Sequence, residues 1–293
     1  MKIVRIIGGL GNQMFQYALA LSLRQRFPSE CIKIDTSLFN GYPLHNGFEI
    51  DQIFGSNFER ARFKDIIKIG WPLPHYRLWQ VGSRILPSRK SMCVERSDYT
   101  LELARITEPT SILYDGYWQS ELYFKEYRAQ ILDAFSFPEF KDENNIGLLN
   151  LLQSKKTVSI HIRRGDYVQH PFFKDICTIS YYKNAIKYIR NNAEIDLFCI
   201  FSNDIQWVKN NFSEELTDIE TVFVDWNKGN DSFRDMQLMS VCNHNIIANS
   251  SFSWWGAWLN NNKDKIVVAP YKWMNKDLKS TPICESWIKI SDL

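Results

Sequence analysis

The second half of the chain alternates between short β-branched runs and longer amphipathic segments, and this alternation constrains the fold more than any other feature of the sequence. Each β-branched run predicts a strand, and each amphipathic segment predicts a helix. In chain order the predicted elements are strand 157–162, helix 180–191, strand 196–201, helix 204–212, strand 220–224, helix 231–243, strand 245–248, helix 251–261 and strand 265–269. Such an order builds a parallel sheet with helices on both faces. The expected fold class of this half is therefore α/β.

The first half of the chain begins with the same alternation and then becomes irregular. Its predicted elements are strand 2–7, a helix from about 12 to 27, strand 31–35, a strand at SILY (111–114) and a helix at about 120–135. A chain of 293 residues is long enough for two domains of ordinary size. We place the boundary near 140–155. The predicted domains are 1–150, with an irregular insertion at 55–110, and 151–293.

Charge and cysteine content limit the partners and the compartment. The formal net charge is only +2, and no block of five like charges is present, which argues against a nucleic-acid partner. The six cysteines show no CxxC pair and no metal-ligand spacing. We interpret them as reduced, which indicates a cytoplasmic protein. No apolar stretch approaches the roughly 18 residues that a transmembrane helix needs.

One segment, from Arg60 to Lys90, combines basic and aromatic residues. It contains eight basic residues against a single acid, Asp65, and three tryptophan or tyrosine residues lie among them. Cations attract anionic lipid headgroups, and tryptophan favours the headgroup level of a bilayer. The segment is a candidate for peripheral contact with the inner face of a membrane. A solvated, loosely helical insertion is the alternative.

Two adjacent arginines follow the first predicted strand of the second half. In TVSIHIRRGDY (157–167), Gly165 breaks the strand, so that Arg163, Arg164 and Asp166 lie at its carboxyl end. Ligands of open α/β sheets bind at this edge. A guanidinium group offers forked hydrogen-bond donors to phosphate oxygens. We expect an ion pair with Asp166 to orient one of the two arginines and not both.

Three other strand ends also carry polar residues. They are found in IIGGLGNQMFQYA (6–18), IFSND (200–204) and IIANSSFSWWGAWL (246–259). Glycines before a helix let backbone N–H groups meet an anion, and we expect Asn12 and Gln13 to be exposed there. In the other two segments the serine, asparagine and aspartate side chains could simply cap the following helix, with the tryptophans in the core. Together, the four strand ends favour a diphosphate site.

Five motifs of the chain, in this order, resemble those of the bacterial α-1,2-fucosyltransferases. They are GGLGNQMFQYA (8–18), DGYWQSELYF (115–124), HIRRGDY (161–167), FSND (201–204) and NSSFSWWGAWL (249–259). The resemblance implies a GT-B fold, with two Rossmann-like domains whose parallel sheets face a cleft. It implies that the second domain binds GDP-fucose. It also implies an inverting transfer of L-fucose to the 2-hydroxyl of a terminal galactose, in an oligosaccharide or a lipid-linked glycan.

The same resemblance assigns roles to individual residues. The donor-binding residues would be Asn12, His161, Asp166, Asn203, Asp204, Asn249, Ser250, Ser251, Phe252 and Ser253. The acceptor would contact Trp118, Gln119 and Glu121. The sequence contains no Asp-x-Asp motif of the kind that holds a divalent ion on a diphosphate. We therefore expect Arg163 or Arg164 to stabilise the leaving diphosphate, with no metal and no cofactor besides the donor.

Displacement at the fucose carbon also requires a base for the attacking hydroxyl. The preferred residue is Asp115, because the following Gly116 permits a sharp turn at the end of the SILY strand. An aspartate that merely forms the turn is the alternative. Glu121 and Asp35 are the next choices.

Other classes of function remain open at this stage. A GDP-sugar transferase or fucosyltransferase of another linkage would keep HIRRGDY and differ only on the acceptor side. A non-catalytic carbohydrate-binding protein would have aromatic platforms without a diphosphate site, and the paired arginines count against it. A nicotinamide oxidoreductase would need a third glycine where Met14 stands, although Asp35 supplies an acid after the second strand.

Overall fold

The computed structural model describes residues 1–291, except for the side chains of residues 213 and 214. The chain forms two compact units. The first consists of Met1–Pro138 together with Leu278–Pro282, and the second consists of Glu139–Asp277 and the residues from Ile283 onward. Each unit has its own sheet of parallel strands. The predicted α/β fold class, with a Rossmann-like parallel sheet in each of two units, is confirmed.

The first unit is built on a five-stranded parallel sheet in the order β3-β2-β1-β5-β4. Its elements are β1 (Lys2–Arg5), α1 (Leu10–Arg26), β2 (Ile32–Asp35), α2 (Ile50–Ile53), β3 (Glu59–Arg60), α3 (Phe63–Ile69), α4 (Tyr76–Ile85), β4 (Met92–Val94), α5 (Leu103–Thr107), β5 (Ile112–Asp115) and α6 (Arg128–Ala134). In the central strand, Lys2 lies opposite Ile32 on one side and Ile112 on the other. The carboxyl ends of β1, β2 and β5 therefore meet at one edge.

The strands and the first helix that the sequence predicts in this unit are present. The central strands are buried on both faces, and Ile3, Val4 and Leu113 have no exposed surface. The predicted irregular insertion at 55–110 instead contains α3, α4, α5, β3 and β4. Sequence periodicity misses β3 and β4 because these strands have only two and three residues.

The second unit is built on a six-stranded parallel sheet in the order β11-β10-β9-β6-β7-β8. Its elements are α7 (Glu143–Ser154), β6 (Thr157–Ile162), α8 (Ile179–Asn192), β7 (Leu197–Ser202), α9 (Ile205–Asn211), α10 (Ser213–Leu216), β8 (Glu220–Val224), α11 (Phe233–Val241), β9 (His244–Ile246), α12 (Ser251–Leu259), β10 (Val267–Pro270) and β11 (Ile288–Ile290). The predicted strand at 157–162 is confirmed, as is every predicted helix of this half, with ends shifted by one or two residues.

The alternation within β7 explains why this sheet is covered on both faces. Phe198 and Ile200 point into one apolar cluster, and Leu197, Cys199 and Phe201 point into another. Since successive side chains of a strand face opposite ways, a strand with two apolar faces needs helices on each side. In this sheet β6 lies between β9 and β7, and the carboxyl ends of these three parallel strands lie at one edge.

Helix α7 places the start of the second unit earlier than the sequence suggests. The unit begins at Glu139, whereas the sequence predicts a boundary near residue 150. Leu148 and Leu152 of α7 pack into the same apolar cluster as Leu197 and Phe201. The polar KDENN segment is therefore the beginning of a packed helix, and Asp142 caps it by accepting a bond from the Asn145 N–H at 2.8 Å.

Helix α12 has an entirely apolar body. Trp254 and Trp255 have no exposed surface and Trp258 has very little, which confirms that these tryptophans form core. Gly256 lies against Met239 of α11, where an added Cβ would come within 2.8 Å of the Met239 Cβ. In the range 1–291, no helix has the length and apolar character that crossing a bilayer requires. All six cysteines are free thiols.

Candidate functional site

The carboxyl ends of β6, β7 and β9 bring together most of the predicted donor-binding residues. Arg163 and Arg164 follow β6 directly, Asn203 and Asp204 follow β7, and residues 247–253 lead from β9 into α12. The neighbouring strands β9, β6 and β7 run parallel, so these three segments share one edge of the second sheet. The edge therefore combines two cations with several amides and hydroxyls, as the sequence predicts.

Arg163 is held by the loop that follows β6. Its Nη2 donates to Asp166 Oδ1 at 2.6 Å, and its guanidinium carbon lies 5.3 Å from the centre of the Tyr167 ring. About a third of the side chain is exposed. Its Nε is buried and has no hydrogen-bond partner among the described residues. The ion pair with Asp166 leaves part of the guanidinium fork available for an anion.

Arg164 is also ion-paired, but with Asp204 and not with Asp166, so that Asp166 orients only one of the two arginines, as expected. Its Nε lies 3.4 Å from Asp204 Oδ2, a long contact, and its guanidinium carbon lies 3.6 Å from the centre of the Trp207 ring. The backbone N–H of Arg164 donates to Asn203 Oδ1 at 2.9 Å. A flat guanidinium held against an indole keeps its orientation, because stacking adds cation–π attraction.

The predicted capping roles at this edge are present in the structure. Asp204 caps α9 by accepting a bond from the Trp207 N–H at 3.1 Å, and Ser250 caps α12 by accepting from the Phe252 N–H at 3.3 Å. The Ser253 hydroxyl donates to the Ser250 carbonyl, and Asn249 Nδ2 donates to the Trp273 carbonyl. Ser251, the first residue of α12, is partly exposed. Of these residues it has the hydroxyl best placed for a ligand.

His161 lies beneath the arginines as the last but one residue of β6. Burial, with a smaller contribution from the Arg163 charge, lowers the pKa of its imidazole to about 3. The ring is therefore neutral at any ordinary pH, and it acts as a hydrogen-bonding group and not as a cation. Its Nδ1 has no partner among residues 1–291, and its ring lies 5.9 Å from that of Phe252. A donor-binding role for His161 stays a prediction.

Gly165 allows the arginine loop to turn, and replacing it tests the loop's geometry. Its φ is +40°, and an added Cβ would lie 2.3 Å from Asn203 Nδ2. Gly165→Ala should displace the amide that binds the Arg164 N–H and should add backbone strain of about 1–3 kcal/mol. We expect transfer activity to fall about tenfold or more, measured as kcat/KM on protein that remains folded.

Gly147→Ala is the matched control, because Gly147 lies within α7 and an added Cβ there meets nothing within 4 Å. This variant should keep full activity and gain up to about 1 kcal/mol of stability, since alanine favours a helix over glycine. Wild-type activity in Gly165→Ala would show that the arginine loop does not depend on its contact with Asn203.

In the first unit, Asn12 and Gln119 are brought together at the carboxyl edge of the sheet. Gln119 Nε2 donates to Asn12 Oδ1 at 2.7 Å. Asn12 is partly exposed, as predicted, but Gln13 is not: it is fully buried and its Nε2 donates to the carbonyls of Gly8 and Gly47. The predicted exposure of Gln13 is therefore wrong, because its amide is used to fix the glycine turn.

Asp115, the predicted base, lies in a buried charge network. Its Oδ2 accepts from Arg5 Nη1 at 2.8 Å and from Trp79 Nε1 at 3.0 Å. Arg5 has no exposed surface, and its Nε donates to Asp35 at 2.9 Å. The carboxylate of Asp115 is only 5 % exposed. The base role stays a prediction, and any such role would use the other oxygen, Oδ1.

Trp118 is a correction to the predicted acceptor-binding residues. Its side chain has no exposed surface, and its ring packs edge-on against Tyr114 and Tyr123, with centroids 5.8 and 5.5 Å apart. A ring with no exposed face has none to offer to a sugar, so Trp118 belongs to the core. Glu121 and Gln119 follow in the same loop, and their acceptor-binding roles stay predictions.

Glu95, which the sequence analysis did not single out, fixes the loop that carries Gln119. Its two carboxylate oxygens accept the backbone N–H groups of Tyr117 at 2.7 Å and Trp118 at 2.9 Å. Gly116 packs so closely that an added Cβ would lie 2.3 Å from the Glu95 Cβ. The only sequence signal is its position, directly after the short strand β4.

The ionisation of Glu95 should make the free energy of unfolding depend on pH. Burial raises the pKa of this carboxyl from 4.5 to about 7, although the backbone N–H bonds oppose the shift. Because the folded state holds the proton more tightly, the contribution of Glu95 is fully present below about pH 4.5 and is lost as pH rises to about 7. The thermal midpoint of the wild type, minus that of Glu95→Gln, should therefore fall across this pH range.

The exposed Glu139 provides the control for this measurement. Glu139→Gln, measured in the same way, shows the effect of replacing a surface glutamate. A difference for Glu95→Gln that does not change with pH would mean that Glu95 stays ionised throughout.

The arginines, amides and hydroxyls at this strand edge suit a ligand that bears phosphate groups. The sequence model described as Glycosyl transferase family 11 matches residues 94–291. The chain is 33 % identical to an alpha-1,2-colitosyltransferase of Escherichia coli, with 98 % of each chain covered. It is 32 % identical to the O-antigen biosynthesis glycosyltransferase WbnK of Escherichia coli, over 97 % of this chain and 98 % of that one. The chain belongs to glycosyl transferase family 11.

Solved structures with similar architecture include POFUT1 in complex with GDP. The match to POFUT1 has a TM-score of 0.46 at 12 % identity, and it covers 92 % of this chain and 98 % of the POFUT1 chain. The ADP-heptose lipopolysaccharide heptosyltransferase II of Escherichia coli has a TM-score of 0.42 at 12 % identity, over 99 % of this chain and 90 % of that one.

Proposed function

We propose that this family 11 glycosyltransferase moves L-fucose from GDP-fucose to the 2-hydroxyl of a terminal galactose in a surface glycan such as an O-antigen. The observation that carries the proposal is the pair of guanidinium groups, Arg163 and Arg164, at the carboxyl end of β6. Beside them lies the start of α12, where Ser251 and the helix N-terminus add further donors for an anion. A nucleoside diphosphate is the ligand that this chemistry suits.

The reaction would be a displacement at the anomeric carbon of the sugar. The acceptor 2-hydroxyl attacks, the bond to the β-phosphate breaks, and negative charge grows on the diphosphate as GDP leaves. Oriented guanidinium groups stabilise that charge more in the transition state than in the ground state. The arginines would supply this stabilisation without a metal ion or other cofactor.

A second donor is favoured by one specific observation. The relative with 33 % identity is named an alpha-1,2-colitosyltransferase. Colitose is L-fucose without the 3-hydroxyl, so the two sugars could be carried by the same GDP group and transferred to form the same α-1,2 linkage. GDP-colitose is therefore the alternative donor. The choice depends on whether a polar side chain meets the 3-hydroxyl, because a site built to bond a hydroxyl rejects an analogue that lacks it.

A panel of nucleotide sugars tests the donor. GDP-fucose, GDP-colitose, GDP-mannose and UDP-galactose would each be tested for protection against thermal unfolding. A true donor at about 100 times its Kd should stabilise the fold by about 2.7 kcal/mol. Protection by GDP-fucose with transfer to a galactose-terminated oligosaccharide is the expected result. Selective protection by GDP-colitose would identify the alternative donor, and protection by UDP-galactose alone would overturn both.

The same transfer assay, repeated in excess chelator, tests whether a metal is needed. We expect undiminished activity. Complete loss that manganese or magnesium restores would show that an ion supplies the positive charge on the diphosphate. The linkage of the product, read by NMR, would establish whether the 2-hydroxyl is the acceptor.

A further inference from the structure

Helix α4 of the first unit has an unusual distribution of side chains. None of its ten residues is buried. Its inner side is held to the unit by polar and aromatic contacts. Trp79 Nε1 donates to Asp115, and the Tyr76 ring packs on that of Tyr42 with centroids 4.9 Å apart. The helix is thus anchored along one side.

The opposite side of α4 is apolar and faces solvent. Leu78 is 57 % exposed, Val81 59 % and Ile85 74 %. Residues spaced by three, four and seven positions lie on one face of a helix. Amphipathic helices of globular proteins turn that apolar face to the core, whereas α4 turns it outward. We call Leu78, Val81 and Ile85 the α4 face.

Basic side chains flank the α4 face. Arg77 directly precedes Leu78 in the chain, and Arg84 directly precedes Ile85. Both arginines are exposed, and neither forms an ion pair within residues 1–291. The single acid of the surrounding basic segment does not offset them, because Asp65 is bonded to Lys33 at 3.0 Å. The surroundings of the α4 face are therefore positively charged.

Helix α3, in the same basic segment, also exposes apolar side chains next to basic ones. Phe63 and Ile67 are 52 % and 40 % exposed, and Lys64 and Lys68 are exposed next to them. The segment after α4 is tied to the end of α3, because Arg89 Nη1 donates to the carbonyls of Ile67 and Gly70 at 2.7 and 2.8 Å. The two exposed apolar surfaces thus belong to one connected part of the first unit.

We propose that the α4 face, flanked by Arg77 and Arg84, docks this enzyme on an anionic lipid bilayer. Aliphatic side chains in the outer acyl region, with arginines at the headgroup phosphates, match the arrangement of interfacial amphipathic helices. The charge of the flanks selects an anionic surface. This proposal does not depend on which sugar the enzyme transfers.

A second copy of the chain is the competing occupant, and two observations count against it. Stable interfaces bury on the order of 1,200 Å² or more. Three aliphatic side chains on a ten-residue helix offer far less. A two-fold contact across the face would also bring the Arg77 and Arg84 pairs of both copies near each other, and like charges repel.

Vesicle sedimentation of the whole chain tests the proposal. The wild type should bind vesicles of phosphatidylethanolamine and phosphatidylglycerol at low salt, bind phosphatidylcholine vesicles weakly, and dissociate at about 1 M salt, where charges are screened within about 3 Å. The triple variant Leu78→Ser, Val81→Ser, Ile85→Ser should bind anionic vesicles at least about tenfold more weakly. The double variant Arg77→Gln, Arg84→Gln should lose a similar factor.

Matched variants of the second unit serve as controls. Ile146→Ser removes an aliphatic side chain that is 40 % exposed on α7, and Lys228→Gln with Lys272→Gln removes two exposed charges. These controls should bind vesicles like the wild type, and all variants should keep wild-type transfer to a soluble acceptor and a wild-type thermal midpoint. Absence of wild-type binding at low salt, or equal loss in the controls, would overturn the proposal. A lipid-independent dimer that the triple variant abolishes would assign the α4 face to a second copy.

Discussion

Arg164→Lys should lower transfer at least about a hundredfold while leaving the thermal unfolding midpoint close to that of the wild type. Lysine keeps the charge but loses the planar fork that binds two phosphate oxygens at once. It also loses the flat stacking on Trp207, where the guanidinium carbon lies 3.6 Å from the ring centre. A hundredfold loss corresponds to about 2.7 kcal/mol of transition-state stabilisation, a size typical of a single oriented donor in an active site.

Arg163→Lys should lower transfer activity by the same order. A fall in kcat that exceeds the rise in KM would indicate that Arg163 is the closer partner of the leaving β-phosphate. The matched control is Arg190→Lys, since Arg190 lies on α8 and bonds a backbone carbonyl and the Asp218 carboxylate. The measurements are kcat and KM for GDP-fucose, together with thermal midpoints. Full activity in both Arg163→Lys and Arg164→Lys would remove the arginines from the reaction.

Asp115→Asn should retain GDP-fucose binding and slow transfer by about 10² to 10⁴, the loss expected for a missing general base. The structure adds a second effect of the same substitution, because Asp115 is one of two carboxylates that neutralise the fully buried Arg5. Removing one partner of a buried ion pair commonly costs about 3–5 kcal/mol. A lower thermal midpoint is therefore expected as well.

Asp35→Asn separates the two effects. Asp35 is the other carboxylate partner of Arg5 and has no exposed surface, so this variant disturbs the same charge network without removing the proposed base. We expect both variants to lose stability and only Asp115→Asn to lose kcat at a temperature where each is folded. Wild-type kcat in both variants would assign Asp115 and Asp35 to the ion-pair network alone and direct the search to Glu121 or to a mechanism without a dedicated base.

The sequence predicts the second unit well, for a physical reason seen in β6 and β7. Both strands have six residues, and in β6 the apolar Val158, Ile160 and Ile162 alternate with polar residues, so that the period of two can be read. Helix α4 shows the opposite situation. Its apolar side chains point to solvent, and the sequence predicts this stretch only as part of an irregular insertion. Strand β4, with three residues, has no readable period.

The positions of the arginines could be predicted, but their partners could not. Arg163 and Arg164 lie at a strand end that any reader of the sequence can locate. The contact of Arg164 with Asp204, by contrast, joins residues forty positions apart and depends on the pairing of β6 with β7. The burial of Trp118 likewise depends on its backbone, since its positive φ of 56° turns the ring into the core. Local sequence patterns carry neither piece of information.

The short segment Leu278–Pro282 belongs to the first unit, although the residues on both sides of it belong to the second. The Lys279 N–H bonds the Asp98 carbonyl at 2.7 Å, and the Ser280 hydroxyl bonds the Tyr99 carbonyl. Strand β11, which completes the edge of the second sheet, comes after this excursion. During synthesis, therefore, the amino-terminal unit receives its last segment only after residue 282 has left the ribosome, and a chain stopped at Asp277 would lack a part of each unit.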